Sequence, residues 1–335
     1  MNLSRRQFGM IAGAALVAGS RARAVPAKPK PVGLVLAPSN LGLRPENGRQ
    51  PGTWRAPKVL MDAGLREALE AEEVLRLDRP DYEFEAQNGT RMRNGRSIRS
   101  FSLQLGETVR DLLRAQKFPV VIGGDCSILL GCLYGARLAG GRGLVHVDGH
   151  SDFTQAKSYA TPQTLGAAAG MDLALVSGRG EPLMTEWPDV GSPLAEDADI
   201  VQVGERGAGE PWFLQYYGDI LRTEITQFTA QTVLAEGIGP ASRQVIARLE
   251  KRGLEKAWLH VDLDVLDQSV MPAVDSPGRP GFDFSQLAAL AGALAASGRI
   301  LGANFSIYDP ERDPELKYAR PLVDCIAAGV RQRVS

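Results

Sequence analysis

The sequence predicts a single doubly wound α/β domain, in which a mainly parallel sheet is flanked by helices. The chain has 335 residues, 44% of them hydrophobic and 23% charged, an ordinary composition for a folded globular protein. Short apolar runs rich in β-branched residues recur along it, as expected for strands buried on both faces of a parallel sheet. Amphipathic stretches with helical periodicity separate those runs, and this alternation favours one sheet.

Residues 1–30 differ from the rest and predict a twin-arginine export signal followed by a linker. Arg5 and Arg6 are adjacent, the apolar run Phe8–Ala18 follows, and residues 22–24 read Ala-Arg-Ala, a cleavage pattern. The apolar run is shorter than the roughly 20 residues needed to span a bilayer. We therefore expect a periplasmic or otherwise exported protein whose folded domain covers residues 31–335. The alternative is a basic N-terminus with a chance arginine pair.

The strands and helices of that domain follow from the apolar runs and the stretches between them. Strands are predicted at Val32–Leu36, Phe118–Ile122, Gly143–Val147, Ile200–Val203, Ala257–Val261 and Ile300–Phe305. Helices are predicted at Thr108–Gln116, Pro240–Arg252 and Phe284–Ala296. Asp283 directly precedes the last helix, in the position of an N-cap.

Charge and cysteine content exclude several classes of protein. The formal net charge is −1, so the chain lacks the long-range field that a nucleic-acid or membrane-surface partner requires. We therefore expect neither of those partners. The only cysteines are Cys126, Cys132 and Cys325, too few for a disulfide scaffold.

Acidic residues and a histidine follow one predicted strand, at the point where ligands bind in open α/β sheets. Strand Gly143–Val147 is followed by Asp148, His150 and Asp152, spaced two residues apart. Three ligands at this spacing can converge on one point.

Two further strands end in similar motifs. Strand Ala257–Val261 is followed by Asp262 and Asp264, whose like charges repel unless a cation compensates them. Strand Phe118–Ile122 ends in the sequence Gly-Gly-Asp-Cys-Ser over residues 123–127. One such motif alone is as well explained by a helix cap or a chance pair of aspartates. Three at the ends of buried strands indicate a metal centre.

The order of these motifs resembles the ureohydrolases, the family of arginases and agmatinases. The match rests on Gly-Gly-Asp-Cys-Ser, Asp-Gly-His-Ser-Asp and Asp-Leu-Asp-Val-Leu-Asp, and it extends through Gly52–Pro57, Met271–Pro277 and Tyr308–Pro310. The resemblance covers residues from about 31 to the end. It implies an arginase-like three-layer α/β/α fold, a homo-oligomer (trimer or hexamer), and two divalent ions, usually Mn²⁺, bridged by a hydroxide that acts as nucleophile.

The resemblance also implies the roles of individual residues. It assigns six metal ligands: Asp148 and Asp262 bridge the ions, Cys126 and Asp152 complete one site, and His150 and Asp264 complete the other. Asp152 is further implied to accept a proton or hydrogen bond from the nucleophile, and His150 is the second catalytic candidate. His146 and His260 each lie two residues before an aspartate. We interpret them as core residues or as residues that orient those aspartates.

Cys126 stands where the family usually has histidine. A thiolate is softer than imidazole and adds a negative charge, so it shifts the metal preference toward Zn²⁺ or another softer ion. The alternative is that Cys126 is a small buried apolar residue and that one metal position is weak or empty. The sequence leaves both interpretations open.

Two further departures concern catalysis. In the family a Gly-Asn-x-His-Gly-Met run carries a proton-shuttling histidine, and here Ala169 holds that place. A methyl group cannot transfer protons. Ile307 stands shortly before Asp309-Pro310, where a glutamate that pairs with the substrate guanidinium is expected. Efficient hydrolysis of arginine is therefore not expected.

These observations favour a metal-dependent hydrolase of linear C–N bonds in a guanidino, amidino or amide compound. The main alternative is a non-catalytic periplasmic family member that binds metal or a small ligand, motivated by Ala169 and Ile307. A deacetylase-like activity is a third interpretation, which the paired aspartates after Ala257–Val261 disfavour.

Overall fold

The computed structural model describes residues 29–155 and 164–333. These residues form one eight-stranded sheet. The predicted export signal lies outside the described residues. No helix within the described ranges is long and apolar enough to cross a membrane.

The strands are bounded as follows: β1 (Val32–Ala37), β2 (Glu73–Arg76), β3 (Phe118–Gly123), β4 (Gly143–Val147), β5 (Ile200–Val203), β6 (Thr226–Phe228), β7 (Ala257–Asp262) and β8 (Ile300–Ser306). Their order in the sheet is β2-β1-β3-β8-β7-β4-β5-β6. Every pair of neighbouring strands is parallel. The predicted doubly wound sheet is thus confirmed, and it is wholly parallel.

The helices lie between the strands in sequence. They are α1 (Ala56–Asp62), α2 (Leu65–Leu69), α3 (Gly95–Arg114), α4 (Ile128–Leu138), α5 (Asp172–Val176), α6 (Pro182–Thr185), α7 (Pro211–Tyr216), α8 (Ala230–Glu236), α9 (Ile238–Lys251), α10 (Phe284–Ala296) and α11 (Ala319–Arg331). The predicted N-cap Asp283 of α10 is confirmed, and it forms a capping box, because Asp283 and Gln286 each accept a backbone hydrogen bond from the other.

An apolar core lies on each face of the sheet. Helices α1, α2, α9, α10 and α11 contribute to one core, and α3 to α6 contribute to the other. Residues of β4 alternate between them: Val145 and Val147 belong to the first core and Leu144 to the second. This arrangement is the three-layer α/β/α architecture implied by the sequence.

The six predicted strands are confirmed, with ends that differ by no more than one residue. The short edge strands β2 and β6 were not predicted. Helix α10 has its predicted bounds, α9 is shifted by up to two residues, and α3 begins at Gly95 rather than at Thr108. Strands β4 and β7 are neighbours, and β3 lies beyond β8. The three predicted motifs therefore meet at the carboxyl edge of the central strands.

Candidate metal centre and adjoining cavity

Three groups of side chains with metal-ligand chemistry lie at or just beneath this edge. Each group offers three ligand atoms that lie within 4.8 Å of one another. The first group is Asp148, His150 and Asp264, the second is Cys126, His260 and Asp262, and the third is His146, Asp172 and His260. His260 is not among the predicted ligands, and the predicted ligand Asp152 belongs to none of the three groups.

The first group is fixed by hydrogen bonds along the loop that follows β4. The Nδ1 of His150 lies 2.8 Å from Asp264 Oδ2, and its backbone N–H donates to Asp148 Oδ1 at 2.6 Å. Arg206, itself buried, forms an ion pair with Asp264 at 3.2 Å. Burial acts to raise the pKa of Asp264, but His150 and Arg206 outweigh it and hold that pKa at about 2. Asp264 is therefore ionised without a metal.

The second group centres on Cys126, which is 2% exposed. Its thiol donates a hydrogen bond to Asp262 Oδ2, and Asp262 Oδ1 accepts from the Asp264 backbone N–H at 2.7 Å. Burial and the charge of Asp262 raise the pKa of the Cys126 thiol well above its usual value. The thiol is thus protonated until a cation replaces its proton. Cys126 also packs in the apolar core, so the structure is compatible with both interpretations of this residue.

Asp152 lies at the wall of the same site. It is 7% exposed and has a φ of 42°, and it lines one cavity with Cys126 and Asp262. Burial raises its pKa well above the usual range, and the charge of Asp172 adds to the effect. Burial and the charge of Asp152 raise the pKa of Asp148 in the same way. These carboxyl groups need either protons or a cation.

The donor set fits divalent cations. The Oδ2 atom of Asp148 is buried and has no hydrogen-bond partner among the described residues. Carboxylate oxygens and one imidazole suit Mn²⁺, whereas the sulfur of Cys126 suits a softer ion such as Zn²⁺. All six predicted ligands lie in this region of the structure.

A row of buried polar side chains crosses the sheet beneath the metal centre. Gln202, His146, His260 and Asn304 are cross-strand partners on β5, β4, β7 and β8. All four are fully buried, and the two histidine rings stack with centroids 4.7 Å apart. The spacing of two residues before Asp148 and Asp262 places both histidines on the same face as those aspartates.

The hydrogen bonds of this row determine which nitrogen of His260 carries a proton. The indole N–H of Trp258 donates to Asn304 Oδ1 at 2.8 Å, so the amide nitrogen of Asn304 faces His260 Nδ1, also at 2.8 Å. An indole can only donate, which fixes the orientation of the amide and makes His260 Nδ1 an acceptor. The proton of His260 is therefore on Nε2. A protonated Nε2 has no lone pair for a metal, which favours the orienting role over the ligand role.

The carboxyl group of Asp172 lies near the Nε2 atoms of both histidines. Asp172 was not singled out from the sequence. Its Oδ2 lies 3.6 Å from His260 Nε2, and its Oδ1 lies 3.2 Å from His146 Nε2. That same His146 nitrogen lies 3.7 Å from Asp148 Oδ2. Asp172 starts α5, far along the chain from both strands, so nothing in the sequence connects it with them.

A cavity of about 610 Å³ opens onto the candidate metal centre. Ala169 and Ile307, the two departures from the family pattern, both line it. Trp212, Tyr216 and Tyr217 form part of its wall, and these aromatic residues were not predicted as site residues. Only the fold brings the α7 region against the strand ends, so sequence spacing carried no signal for them.

Comparisons with known proteins agree with the motifs. The model of the arginase family matches residues 30–327. The chain is 28% identical over 306 residues to the arginase of Bacillus caldovelox, an alignment that covers 88% of this chain and 96% of that protein. It is 27% identical over 296 residues to Arginase-1 of Homo sapiens, covering 85% of this chain and 86% of that protein. The solved structure of the Bacillus caldovelox arginase superimposes with a TM-score of 0.75 at 25% identity, over 91% of this chain and 100% of that chain.

Proposed function

Because this chain belongs to the arginase family, whose members are hydrolases of guanidino C–N bonds, we propose which part of that chemistry it performs. It hydrolyses a linear, non-peptide C–N bond in a guanidino, amidino or amide compound, with two divalent ions bound. The observation that carries this proposal is the convergence of Asp148, His150 and Asp264 beside Cys126 and Asp262 at one edge of the sheet.

The ligands of the ions follow the motifs. Asp148, His150 and Asp264 would hold one ion, and Cys126, Asp152 and Asp262 would complete the other site, with Asp148 and Asp262 shared. When bound, the ions, Mn²⁺ in the first instance and Zn²⁺ as the softer alternative, would supply a water of lowered pKa as the nucleophile at neutral pH.

The side chains around the ions handle protons and orient the substrate. Asp152 lies at the cavity wall, and its buried carboxyl group is suited to hold a proton or accept a hydrogen bond from the nucleophile. His150, paired with Asp264, is the second catalytic candidate. Tyr217 keeps its proton, because burial and the charge of Asp152 raise the pKa of its hydroxyl well above the usual value. A neutral hydroxyl beside the ions is suited to donate to the substrate.

The substrate is not expected to be arginine. Ala169 offers no group that transfers a proton to a leaving amine, and Ile307 offers no carboxylate to a guanidinium. Both side chains face the cavity in which those groups would act. The same two residues support a second candidate function, a family member that binds metal or a small ligand without turnover.

Elemental analysis of the purified protein, together with turnover of guanidino, amidino and amide compounds, tests the proposal. We expect about two ions per chain and metal-dependent release of an amine or urea-type product. Cys126→His should retain two ions and shift the preference toward Mn²⁺, whereas Cys132→Ala, a matched buried cysteine outside the cavity, should change neither property.

Other results separate the alternatives. One zinc-like ion, rising to two metals in Cys126→His, would mean that Cys126 has altered the centre. Two ions without turnover of any compound would support the non-catalytic candidate. The absence of bound metal in both the parent protein and Cys126→His would contradict the enzyme proposal.

We extend the proposal to location and assembly. The pair Arg5-Arg6 supports export through the twin-arginine route, and replacing both with lysine should leave the protein in the cytoplasm of its host. Family membership supports a homo-oligomer, and light scattering of the purified protein would distinguish a trimer or hexamer from a monomer.

A further inference from the structure

The cavity beside the metal centre has an aromatic wall, and from it we infer the class of substrate. The substrate is a planar cationic amidine or guanidine that carries an aromatic or bulky apolar substituent. This inference rests on the proposed function, because it concerns the same cavity. Its subsite lies in this cavity, whose described lining includes Trp212 and the apolar residues Ala169 and Ile307.

Trp212 is the centre of the aromatic wall. It is 38% exposed, and its ring lies edge-on to the ring of His150, with centroids 6.2 Å apart. Tyr217 packs against it at 6.0 Å, also edge-on. Edge-to-face packing of this kind fixes the indole next to a candidate metal ligand while part of it remains open to a ligand.

Gly207 makes this position of the indole possible. A Cβ atom on Gly207 would lie 1.9 Å from Trp212 Cζ2, far inside van der Waals contact. The indole therefore occupies space that any other residue at position 207 would fill. The absence of a side chain at this position brings the ring against the backbone at the wall of the cavity.

Another part of the cavity lining is apolar. It includes Leu43, Ala169, Met171 and Ile307, of which Ala169 and Ile307 are 6% and 2% exposed. These side chains offer no hydrogen bond to a polar substituent, which would lose its hydration on entering. An aryl or branched alkyl group would instead bury apolar surface against these side chains and Trp212.

The charge of the cavity selects a cation. Besides the carboxyl groups assigned to the ions, its described lining includes those of Glu46 and Asp275. Arg44 is the one arginine or lysine in that described lining. The carboxyl groups thus accept the cationic C–N group, and Trp212 with the apolar side chains accepts its substituent.

Calorimetric titration of the metal-loaded protein with benzamidine and with acetamidine tests the inference. Both probes carry the same amidinium group, and only the first carries an aromatic ring. We expect benzamidine to bind about tenfold or more tightly than acetamidine. In Trp212→Ala, benzamidine should lose about tenfold in affinity, while acetamidine should change by less than about twofold.

Two variants sharpen the test. Leu214→Ala removes a residue that is 54% exposed on the same helix and does not line the cavity, so it should leave both affinities unchanged. Gly207→Ala should displace the indole without removing it, and should weaken benzamidine as Trp212→Ala does. Thermal unfolding of each variant would verify that the fold is intact.

The contradicting results are distinct from those for the proposed function. Equal affinities for the two probes, or equal losses of both in Trp212→Ala, would overturn the substrate class. Because binding is measured without turnover, a protein that binds benzamidine through Trp212 but hydrolyses nothing would overturn the proposed function alone.

Discussion

Ile307 has a backbone conformation that its side chain disfavours. Its φ is 76°, in the left-handed region, where a β-branched residue is rare. Strain of this kind costs about 1–3 kcal/mol and is concentrated at functional sites. Here it places an apolar side chain, 2% exposed, at the wall of the substrate cavity. The position is consistent with a specific role for that side chain in the apolar wall.

The strain predicts that glycine at position 307 gives a more stable protein than alanine, the reverse of the usual order. Ile307→Gly should be more stable than Ile307→Ala by about 1 kcal/mol, because glycine adopts positive φ without steric cost. Urea unfolding of both variants measures the difference. The same pair of substitutions at Ile326, inside α11, is the control and should show the reverse order by about 1 kcal/mol. An alanine variant at 307 as stable as the glycine variant would contradict the strain.

Trp258 allows a test of the proton position on His260. The chain has three histidines, so their ¹⁵N signals can be assigned with single variants. We expect the Nε2–H form of His260 both with and without metal. Trp258→Phe should free the Asn304 amide to rotate and produce a mixture of forms, at a cost of about 1–3 kcal/mol for the unpaired Asn304 oxygen.

A control and a contradicting outcome complete that test. Trp187→Phe changes another buried tryptophan that lies outside the row, and it should leave the His260 signals unchanged. A metal-bound Nε2 signal in the loaded protein would contradict the orienting role and make His260 a ligand in place of Asp152.

The sequence predicted those residues of the candidate site that come directly after a strand. Asp148, Asp262 and Cys126 each follow a buried run, and parallel strands bring their carboxyl ends to one edge. Asp172 and Trp212 belong to segments whose path around the sheet is set by tertiary packing. No spacing in the sequence relates them to the strand ends, so they emerged only from the structure.

At the scale of elements, the predicted strands are those buried on both faces. The edge strands β2 and β6 are only partly buried, and their sequences Glu-Val-Leu-Arg and Thr-Gln-Phe contain few apolar residues. The first thirteen residues of α3 were missed for a different reason. Its buried face includes Ser102 and Gly106, so small residues interrupt the apolar periodicity there.

Those small residues allow α3 and α4 to pack closely. A Cβ atom on Gly135 of α4 would lie 2.4 Å from the backbone oxygen of Gly106, so one helix would have to move. Gly292 of α10 is different, because its nearest neighbour would be 3.6 Å away. Two buried helical glycines thus differ in whether space exists for a methyl group.

The pair predicts opposite effects of one substitution. Gly135→Ala should destabilise the protein by about 1–3 kcal/mol through overpacking, in spite of better helix propensity. Gly292→Ala should stabilise it by about 0.5–1 kcal/mol, because only the propensity gain remains. Urea unfolding of both variants against the parent protein tests this. Stabilisation by both substitutions would show that the α3–α4 contact has room for a methyl group at position 135.

At the scale of the whole molecule, the fold concentrates buried charge at one edge. In the metal-free protein, burial raises the pKa values of Asp148, Asp152 and Asp262 well above those of the unfolded chain. A raised folded pKa means that the folded state binds more protons. The stability that these groups contribute is therefore present at low pH and lost as pH rises.

Buried histidines act in the opposite direction below their unfolded pKa. Burial lowers the pKa of His146 to about 3 and that of His260 to about 4. Their stabilisation is complete above about pH 6.5, the pKa of the unfolded chain, and is lost only below it. Asp264, held at about 2, loses its contribution only below about pH 4. The carboxylates thus dominate the pH dependence above about pH 6.5.

The metal-free protein should therefore become more stable as pH falls from about 8.5 to 6.5, and this trend should flatten below that range. Added Mn²⁺ or Zn²⁺ should raise the melting temperature more at pH 8.5 than at 6.5, because metal and protons compete for the same carboxylates. Asp148→Asn removes one of these groups and should reduce the slope by up to about 1.4 kcal/mol per pH unit. Calorimetry with and without metal measures both effects. If the stability of the metal-free protein were independent of pH across this window, the pKa values of these carboxyl groups would not be raised by folding. Their mutual repulsion would then not favour the binding of cations, on which the proposed chemistry depends.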